Sequence, residues 1–253
     1  MFRKLKYYVQ IFPLIKYVSN WYQIIFLYLF PGREVVLKLR NGIKFTITHH
    51  LDALTVKEIF LDKDYEIPIK NTKTIIDIGA NIGTYSLFAA KKFPHSNIYA
   101  YEPEKSTFRV LKKNLEENGV KNVKSFRLGV SSKPGFRYFY TYQASGFTSL
   151  LPTRKDGKRQ KVKVTTLLKI FKDNLIKTCG LIKMDCEGAE YEILLNCPDS
   201  LFKRIKAFVL EYHDGLSEHK STELVNLLSQ KAYKVRVRKH PLEDDIGIIY
   251  AKK

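Results

Sequence analysis

The sequence predicts an α/β protein of the doubly wound kind, with a mostly parallel sheet covered by helices on both faces. Three observations predict it. Short apolar runs alternate with helical patterns from residue 74 onward, the rhythm that produces parallel strands with crossover helices. The first run leads through a glycine-bearing turn, "DIGANIG", straight into a helix. The last two runs, "YKVRVRKH" and "IGIIYAKK", are separated only by "PLEDD", so a closing hairpin adds an antiparallel strand.

Residues 1–70 fall outside that rhythm and are expected to form a cap on the doubly wound domain at 71–253. "MFRKLKYYVQIFPLIKYVSNWYQIIFLYLFPG" opens basic and becomes aromatic and apolar. Its uncharged run after Lys16 contains Ser19, Asn20 and Gln23, and its apolar part is short of the roughly 20 residues that span a bilayer. No small-residue cleavage site follows it. A helix with interleaved Trp and Tyr and lysines at one end suits a membrane interface, so residues 1–30 are a candidate for peripheral contact at the inner membrane surface; a lid or a homodimer contact is the alternative. "REVVLKLRNGIKFTIT" (33–48) reads as a hairpin around Asn41-Gly42, the dipeptide of a tight two-residue turn. "DALTVKEIF" (52–60) reads as a helix capped by Asp52.

The domain proper is expected as strand 74–78, helix 83–92, strand 97–102, helix 105–118 and strand 123–130. An interruption at 131–165 alternates like strands around a basic loop at 153–161. Strand 180–185, helix 188–196, strand 205–212 and helix 221–231 then precede the closing hairpin.

The 253 residues carry 44 Lys+Arg against 25 Asp+Glu, a net charge of +19. Such an excess favours an anionic partner: nucleic acid, an anionic lipid surface or a phosphorylated acceptor. Cys179, Cys186 and Cys197 form no CxxC pair, which suits a reduced, cytoplasmic protein.

In a doubly wound sheet the ligand sits beyond the carboxyl ends of the strands, at the turn into the first helix. Gly79 and Gly83 let the backbone turn there and let a ligand come close. "GANIG" lacks the middle glycine of a dinucleotide fingerprint and the Lys-Ser/Thr of a phosphate loop. Asp77, two residues before Gly79, repels a pyrophosphate and suits a cationic ligand with an amino group. Glu102, at the tip of the second strand in "YAYEP", has two carboxylate oxygens that match the vicinal hydroxyls of a ribose. Together these point to an adenosine-type ligand other than NAD or ATP.

"DIGANIGTYSL", "AYEP", "IKMDCEGAEYEIL" and "VLEYH", in this order and spacing, resemble the FkbM family of S-adenosylmethionine-dependent methyltransferases over roughly residues 45 to 215. The resemblance implies a class I methyltransferase fold, a seven-stranded sheet with its last strand antiparallel, and methyl transfer to an oxygen of a sugar or related metabolite. It implies that Asp77, Gly79, Asn81 and Gly83 form the cofactor turn, that Glu102 holds the ribose and that Gly129 lies by the adenine. It also makes Ser149 in "SGFTSLLP" a candidate acceptor contact. "KVKVTTLL" departs from the family pattern, with Leu168 where an acid is usual.

A second acidic cluster follows the fourth strand. In "MDCEGAEYE", Glu190 and Glu192 fall in a first helical turn, where acids complement the helix dipole. Asp185 at the strand tip is a candidate general base or acceptor clamp, with Glu187 beside it. "LEYH" ends the fifth strand, and alternation puts Glu211 and His213 on one face near Asp185. A general base (His213), a substrate clamp (Glu211) and a divalent-metal site with Asp185 are the roles open to them.

The expected function is transfer of a methyl group to oxygen on a sugar, glycolipid or similar small acceptor. Nucleic-acid methylation is the rival that the charge invites, but "DCEG" is not the D/N-P-P-Y/F that grips an exocyclic amine. The fifth strand also lacks the lysine of a ribose 2′-O-methyltransferase. A membrane-peripheral binding module with a vestigial cofactor pocket is the third alternative.

Overall fold

A computed structural model describes residues 12–141, 148–149, 158–241 and 243–253. Its largest sheet has seven strands: β3 (Thr74–Ile78), β4 (Asn97–Tyr101), β5 (Val123–Phe126), β10 (Leu181–Met184), β11 (Ala207–His213), β12 (Lys234–Lys239) and β13 (Ile246–Lys252). Their order is β12-β13-β11-β10-β3-β4-β5. β5, β4, β3, β10 and β11 run parallel, and β13 enters antiparallel between β11 and β12. The chain order reverses between β3 and β10, so the crevice for a ligand opens above their carboxyl ends.

Strand alternation divides the core. Ile76, Ile78, Ile182, Met184, Phe208 and Leu210 face α5 (Leu167–Asp173), α6 (Ala189–Leu195), α7 (Asp199–Phe202) and α8 (Ser221–Gln230). Ile75, Leu181, Ala207 and Val209 face the other way, toward α3 (Thr84–Lys92) and the end of α2 (Asp52–Phe60). By the same period of two, Asp77, Lys183 and Glu211 share this second face. Lys183 is the direct register partner of Asp77 on β3 and of Val209 on β11.

The amino-terminal part comprises a 3₁₀ turn (Phe12–Lys16), α1 (Tyr22–Leu29), and the hairpin of β1 (Val35–Lys38) and β2 (Lys44–Ile47). One continuous core joins Leu14, Val18, Ile24, Leu27, Leu37, Phe45 and Ile47 to Ile82, Leu87 and Val110 of the sheet's helical layer. Asn114 on α4 (Lys105–Glu117), fully buried, stitches the two together. It accepts from Thr46 N at 2.6 Å and donates to Thr46 O at 3.1 Å and Ile82 O at 2.8 Å.

Several expectations need correction. Residues 1–30 do not form one helix: among the described residues the chain breaks between Lys16 and Tyr22, where Val18 bridges Leu39 and the Asn20 side chain bonds Val36 and Lys38. Residues 1–11 lie outside the described residues. The hairpin loop is longer than two residues, because Leu39 N bonds Ile43 O and only Gly42 takes a positive φ, of 88°. Asp52 does not cap α2 but sits in its first turn, its carboxylate accepting from Thr48 N and His49 N, both at 2.9 Å.

The expected strand 123–130 is two strands. β6 (Gly129–Val130) leaves for a second sheet of order β6-β9-β7-β8, with β7 (Gly135–Thr141), β8 (Thr148–Ser149) and β9 (Lys158–Thr165). Residues 158–161 of the expected basic loop are therefore strand; 153–157 lie outside the described residues.

Candidate active site

Two loops carry the site, and both are built on backbone that side chains resist. In the first, Gly79 (φ 70°), Asn81 (φ 49°) and Gly83 (φ 87°) turn β3 into α3, and Gly79 N and Ala80 N hang the turn on Tyr101 O at the end of β4. In the second, Glu187 (φ 53°) and Gly188 (φ 95°) turn β10 into α6. A left-handed Glu is uncommon and persists only where its surroundings hold it. The loops press together: a Cβ on Gly79 would stand 1.7 Å from the Asp185 carbonyl oxygen. The neighbour that requires glycine at 79 is thus the second loop rather than a ligand. At Gly83 a Cβ would meet Leu111 Cγ at 3.2 Å, and at Gly129 it would meet Val164 Cγ1 at 3.1 Å and Pro103 Cβ at 3.6 Å. Gly129 thereby abuts the residue that follows Glu102.

Glu102 is buried at the tip of β4, its two oxygens accepting from Asn81 N at 3.0 Å and Glu104 N at 2.9 Å. Burial pushes its carboxyl up to about 7 despite those hydrogen bonds. Each oxygen keeps acceptor capacity for a further donor.

Asp77 is fully buried, and here lies the largest difference from expectation. Its Oδ2 accepts from Ser86 Oγ at 2.6 Å, and its Oδ1 lies 3.4 Å from Lys183 Nζ without a hydrogen bond of good geometry. Lys183 Nζ also donates to Gly79 O at 2.8 Å and lies 3.7 Å from Asp185 Oδ2. Neighbouring carboxylates keep this lysine charged, its pKa raised although burial alone would lower it. A buried ammonium therefore already balances the acid that the sequence reading gave to the ligand, and it ties both loops together. Alternation in "IKMD" places Lys183 on the face of Asp185, and that was the available signal for it.

The second cluster is denser than expected. Asp185, Glu211 and His213 each offer an atom within 4.8 Å of the others. His213 Nε2 lies 3.4 Å from Glu211 Oε1 and 3.6 Å from Glu187 Oε2, and its Nδ1 lies 3.6 Å from Glu190 Oε1. The Tyr65 hydroxyl, donated by the segment after α2, bonds Glu211 Oε2 and reaches Asp185 Oδ2 at 3.3 Å. Nothing in the pattern around Tyr65 announced it. Glu190 is fully buried and accepts from Cys186 N and Gly188 N at 2.6 and 2.8 Å, so it holds the strained loop as well as facing the helix dipole. Glu192 accepts from Ser131 Oγ and from Ser132 N and Oγ, away from the cluster.

Burial and the crowding of charges shift the protons of Asp185, Glu187, Glu211 and His213. Burial, then Glu211, raises Asp185 to about 6; burial raises Glu187 to about 8 against the pull of His213. Burial disfavours the His213 cation, but Glu187, Glu190 and Glu211 outweigh it and hold the imidazole well above its ordinary range. Burial would likewise raise Glu211, yet its bonds from His213 and Tyr65 bring it below the usual carboxylate range. The site is an anionic basin holding more acids than cations, with Asp185, Glu187 and Glu211 partly exposed at its opening and His213 behind them.

The arrangement could receive a cation, whether organic or metallic. Asp185 and Glu211 already have internal partners in Lys183 and Tyr65, which leaves little of a closed ligand set for a metal. Ser149 lies on β8, which pairs with Tyr140 and Thr141 in the second sheet. Leu168 is exposed on α5.

The chain is similar to known methyltransferases. The model of the methyltransferase FkbM domain matches residues 77–235. The methyltransferase sdnD of Sordaria araneosa is 30% identical over 230 residues, 78% of this chain and 88% of that protein. The 31-O-demethyl-FK506 methyltransferase FkbM of Streptomyces tacrolimicus is 26% identical over 243 residues, 81% of this chain and 91% of that one. Among solved structures, the methyltransferase FkbM of Methylobacillus flagellatus KT superposes with a TM-score of 0.52 at 15% identity, covering 76% of this chain and 47% of that one, a likeness of fold. With the family model covering most of the chain and both loops of the site inside it, the chain belongs to the FkbM family of methyltransferases.

Proposed function

We propose that the protein transfers a methyl group from S-adenosylmethionine to a hydroxyl oxygen of a sugar, glycolipid or related small acceptor. The observation that carries this reading is the convergence of Asp185, Glu187, Glu211 and His213 beside the Gly79–Gly83 turn, at the carboxyl ends of neighbouring strands.

The residues present suit such a cofactor. Glu102, with acceptor capacity on both oxygens at the tip of β4, would hold the ribose diol; Gly79, Asn81 and Gly83 would shape the turn beneath it, and Gly129 would border the adenine. The uncompensated negative charge of the second cluster favours a cationic sulfonium over a pyrophosphate. When bound, the sulfonium supplies an electrophilic methyl group and departs as a neutral thioether. Asp77 acts at one remove, by holding Lys183 and through it both loops.

The remaining chemistry belongs to this chain. A sugar hydroxyl is a weak acid, and a positioned base that takes its proton as the bond to carbon forms contributes roughly 10²–10⁴-fold. Glu187 stands at the opening and His213 behind it, so the pair accepts the proton as one coupled unit. Asp185 and Glu211, fixed by Tyr65 and Lys183, clamp the acceptor. Oxygen is favoured over nitrogen because a neutral amine needs no such base before attack. The relative whose name states 31-O-demethyl-FK506 as its substrate is consistent with an oxygen acceptor.

The test is incubation with methyl-labelled S-adenosylmethionine and a panel of free and lipid-linked sugars, with product linkage assigned by NMR. A new O-methyl resonance on one acceptor class is the expected result. Label appearing only on amine or nucleobase nitrogen would contradict it.

A further inference from the structure

The helix α1 breaks the usual pattern of a surface helix. It buries Ile24 and Leu27 in the core, as a packed helix should. Its other side is not polar: Tyr22, Ile25, Phe26 and Leu29 follow one another at helical spacing and are 57%, 50%, 40% and 62% exposed, with Phe30 at 55% just beyond. No charged residue occurs anywhere in "YQIIFLYL". A continuous aromatic and aliphatic stripe of this kind is avoided on a free surface. Eight residues rise only about 12 Å, so the helix lies on a bilayer rather than crossing one.

A second feature belongs to the same amino-terminal unit. The segment entering α1 and the hairpin enclose an open basin of about 400 Å³ lined by Ser19, Lys38, Leu39, Arg40, Gly42 and Lys44. Lys38, Arg40 and Lys44 form no ion pair among the described residues. Lys16 and Arg33, both exposed, flank α1 in sequence. Residues 1–51 contain eight Lys or Arg and one acid, Glu34, which pairs with Arg109 and Lys113 on α4.

We propose that this face docks on an anionic membrane surface. The stripe of Tyr22, Ile25, Phe26, Leu29 and Phe30 enters the headgroup–acyl boundary, and the basin of Lys38, Arg40 and Lys44 takes lipid phosphates. The charge selects the occupant. A second copy of the chain would bring the same uncompensated cations against these, whereas an anionic bilayer offers apolar depth and negative charge together. Asn20 and the bridge from Val18 to Leu39 fix the helix to the hairpin, so stripe and basin present as one rigid unit. The inference is independent of the methyl acceptor.

Flotation of the full chain with phosphatidylcholine vesicles, alone or mixed with phosphatidylglycerol, tests it. Wild type is expected to float with the mixed vesicles and not with phosphatidylcholine alone. I25S/L29S, at exposed positions, is expected to lower the partition coefficient roughly tenfold or more. K38Q/K44Q is expected to lower it by a similar factor and to weaken its salt dependence. Trp21, the single tryptophan and the residue before α1, supplies a readout without any variant: lipids brominated near the headgroup should quench it. Wild type that stays unbound and unquenched overturns the proposal. So does a wild-type dimer that I25S/L29S converts to monomer with no vesicle binding by either, which would make the stripe a self-association face.

Discussion

Replacing His213 by asparagine is expected to lower kcat by roughly 10²–10⁴-fold while leaving the affinity for S-adenosylhomocysteine within about threefold of wild type. The imidazole stands behind Glu187 and Glu211 and is not positioned by any described contact to the Gly79–Gly83 turn, so its loss should appear in the chemical step and not in cofactor binding. The pH dependence gives the sign. Burial holds a proton on Glu187 to about 8, and the carboxylates around His213 hold one on the imidazole well above its ordinary range, so the pair accepts a proton only once it has lost one. The rate in wild type should therefore rise with pH along an ascending limb displaced above the ordinary histidine value. The groups facing His213 are Glu187 from the second loop, Glu190 from the first turn of α6 and Glu211 from its own strand, with Asp185, Lys183 and Tyr65 around them. Glu187→Gln removes the largest of the partners that raise His213, so the limb should move to lower pH as kcat falls. A limb that stays in place in Glu187→Gln, or a His213→Asn enzyme with wild-type kcat, would remove this pair from the reaction.

Gly79→Ala is expected to be the most damaging glycine-to-alanine change among the glycines whose surroundings are described. Two costs combine. An L residue at φ 70° costs roughly 1–2 kcal/mol. The added Cβ would also stand 1.7 Å from a backbone oxygen, so the two site loops must separate, and overpacking of this kind costs roughly 1–3 kcal/mol or more. The sum is on the order of 4 kcal/mol, a large share of a domain's stability. Gly42→Ala isolates the first cost, because Gly42 has φ 88° and nothing within 4 Å of its would-be Cβ. Urea titration of the two variants should show a small loss for Gly42→Ala and a several-fold larger one for Gly79→Ala, which should also lose cofactor affinity. Equal losses would show that the contact between the loops is not what requires glycine at 79.

Both experiments concern features the sequence disclosed only in part. The βα rhythm, the strand-end acids and the closing hairpin were legible because each is a local pattern: period two, a glycine turn, an acid at a strand tip. Alternation even put Glu211 and His213 on one face, and the structure brings them to Asp185. What local pattern cannot supply is register between strands distant in sequence. That register sets Lys183 opposite Asp77, turning an acid read as facing a ligand into half of a buried ion pair. Tyr65 was invisible for a related reason, since it arrives from a segment with no periodicity and gains its meaning only from the carboxylates it meets. Glu190 was underread because acids in a first helical turn are common, and nothing local showed that this one would bond the loop before it. The split between β5 and β6 escaped notice because two short strands in different sheets look like one long one.

The central claim is that the paired loops hold a methyl donor, and calorimetric titration with S-adenosylhomocysteine tests it most directly, with NAD as control. One site of micromolar affinity for S-adenosylhomocysteine, none for NAD, and a heat lost in Glu102→Ala is the predicted result. Wild-type protein that is folded yet binds NAD instead, or neither ligand, would contradict the account.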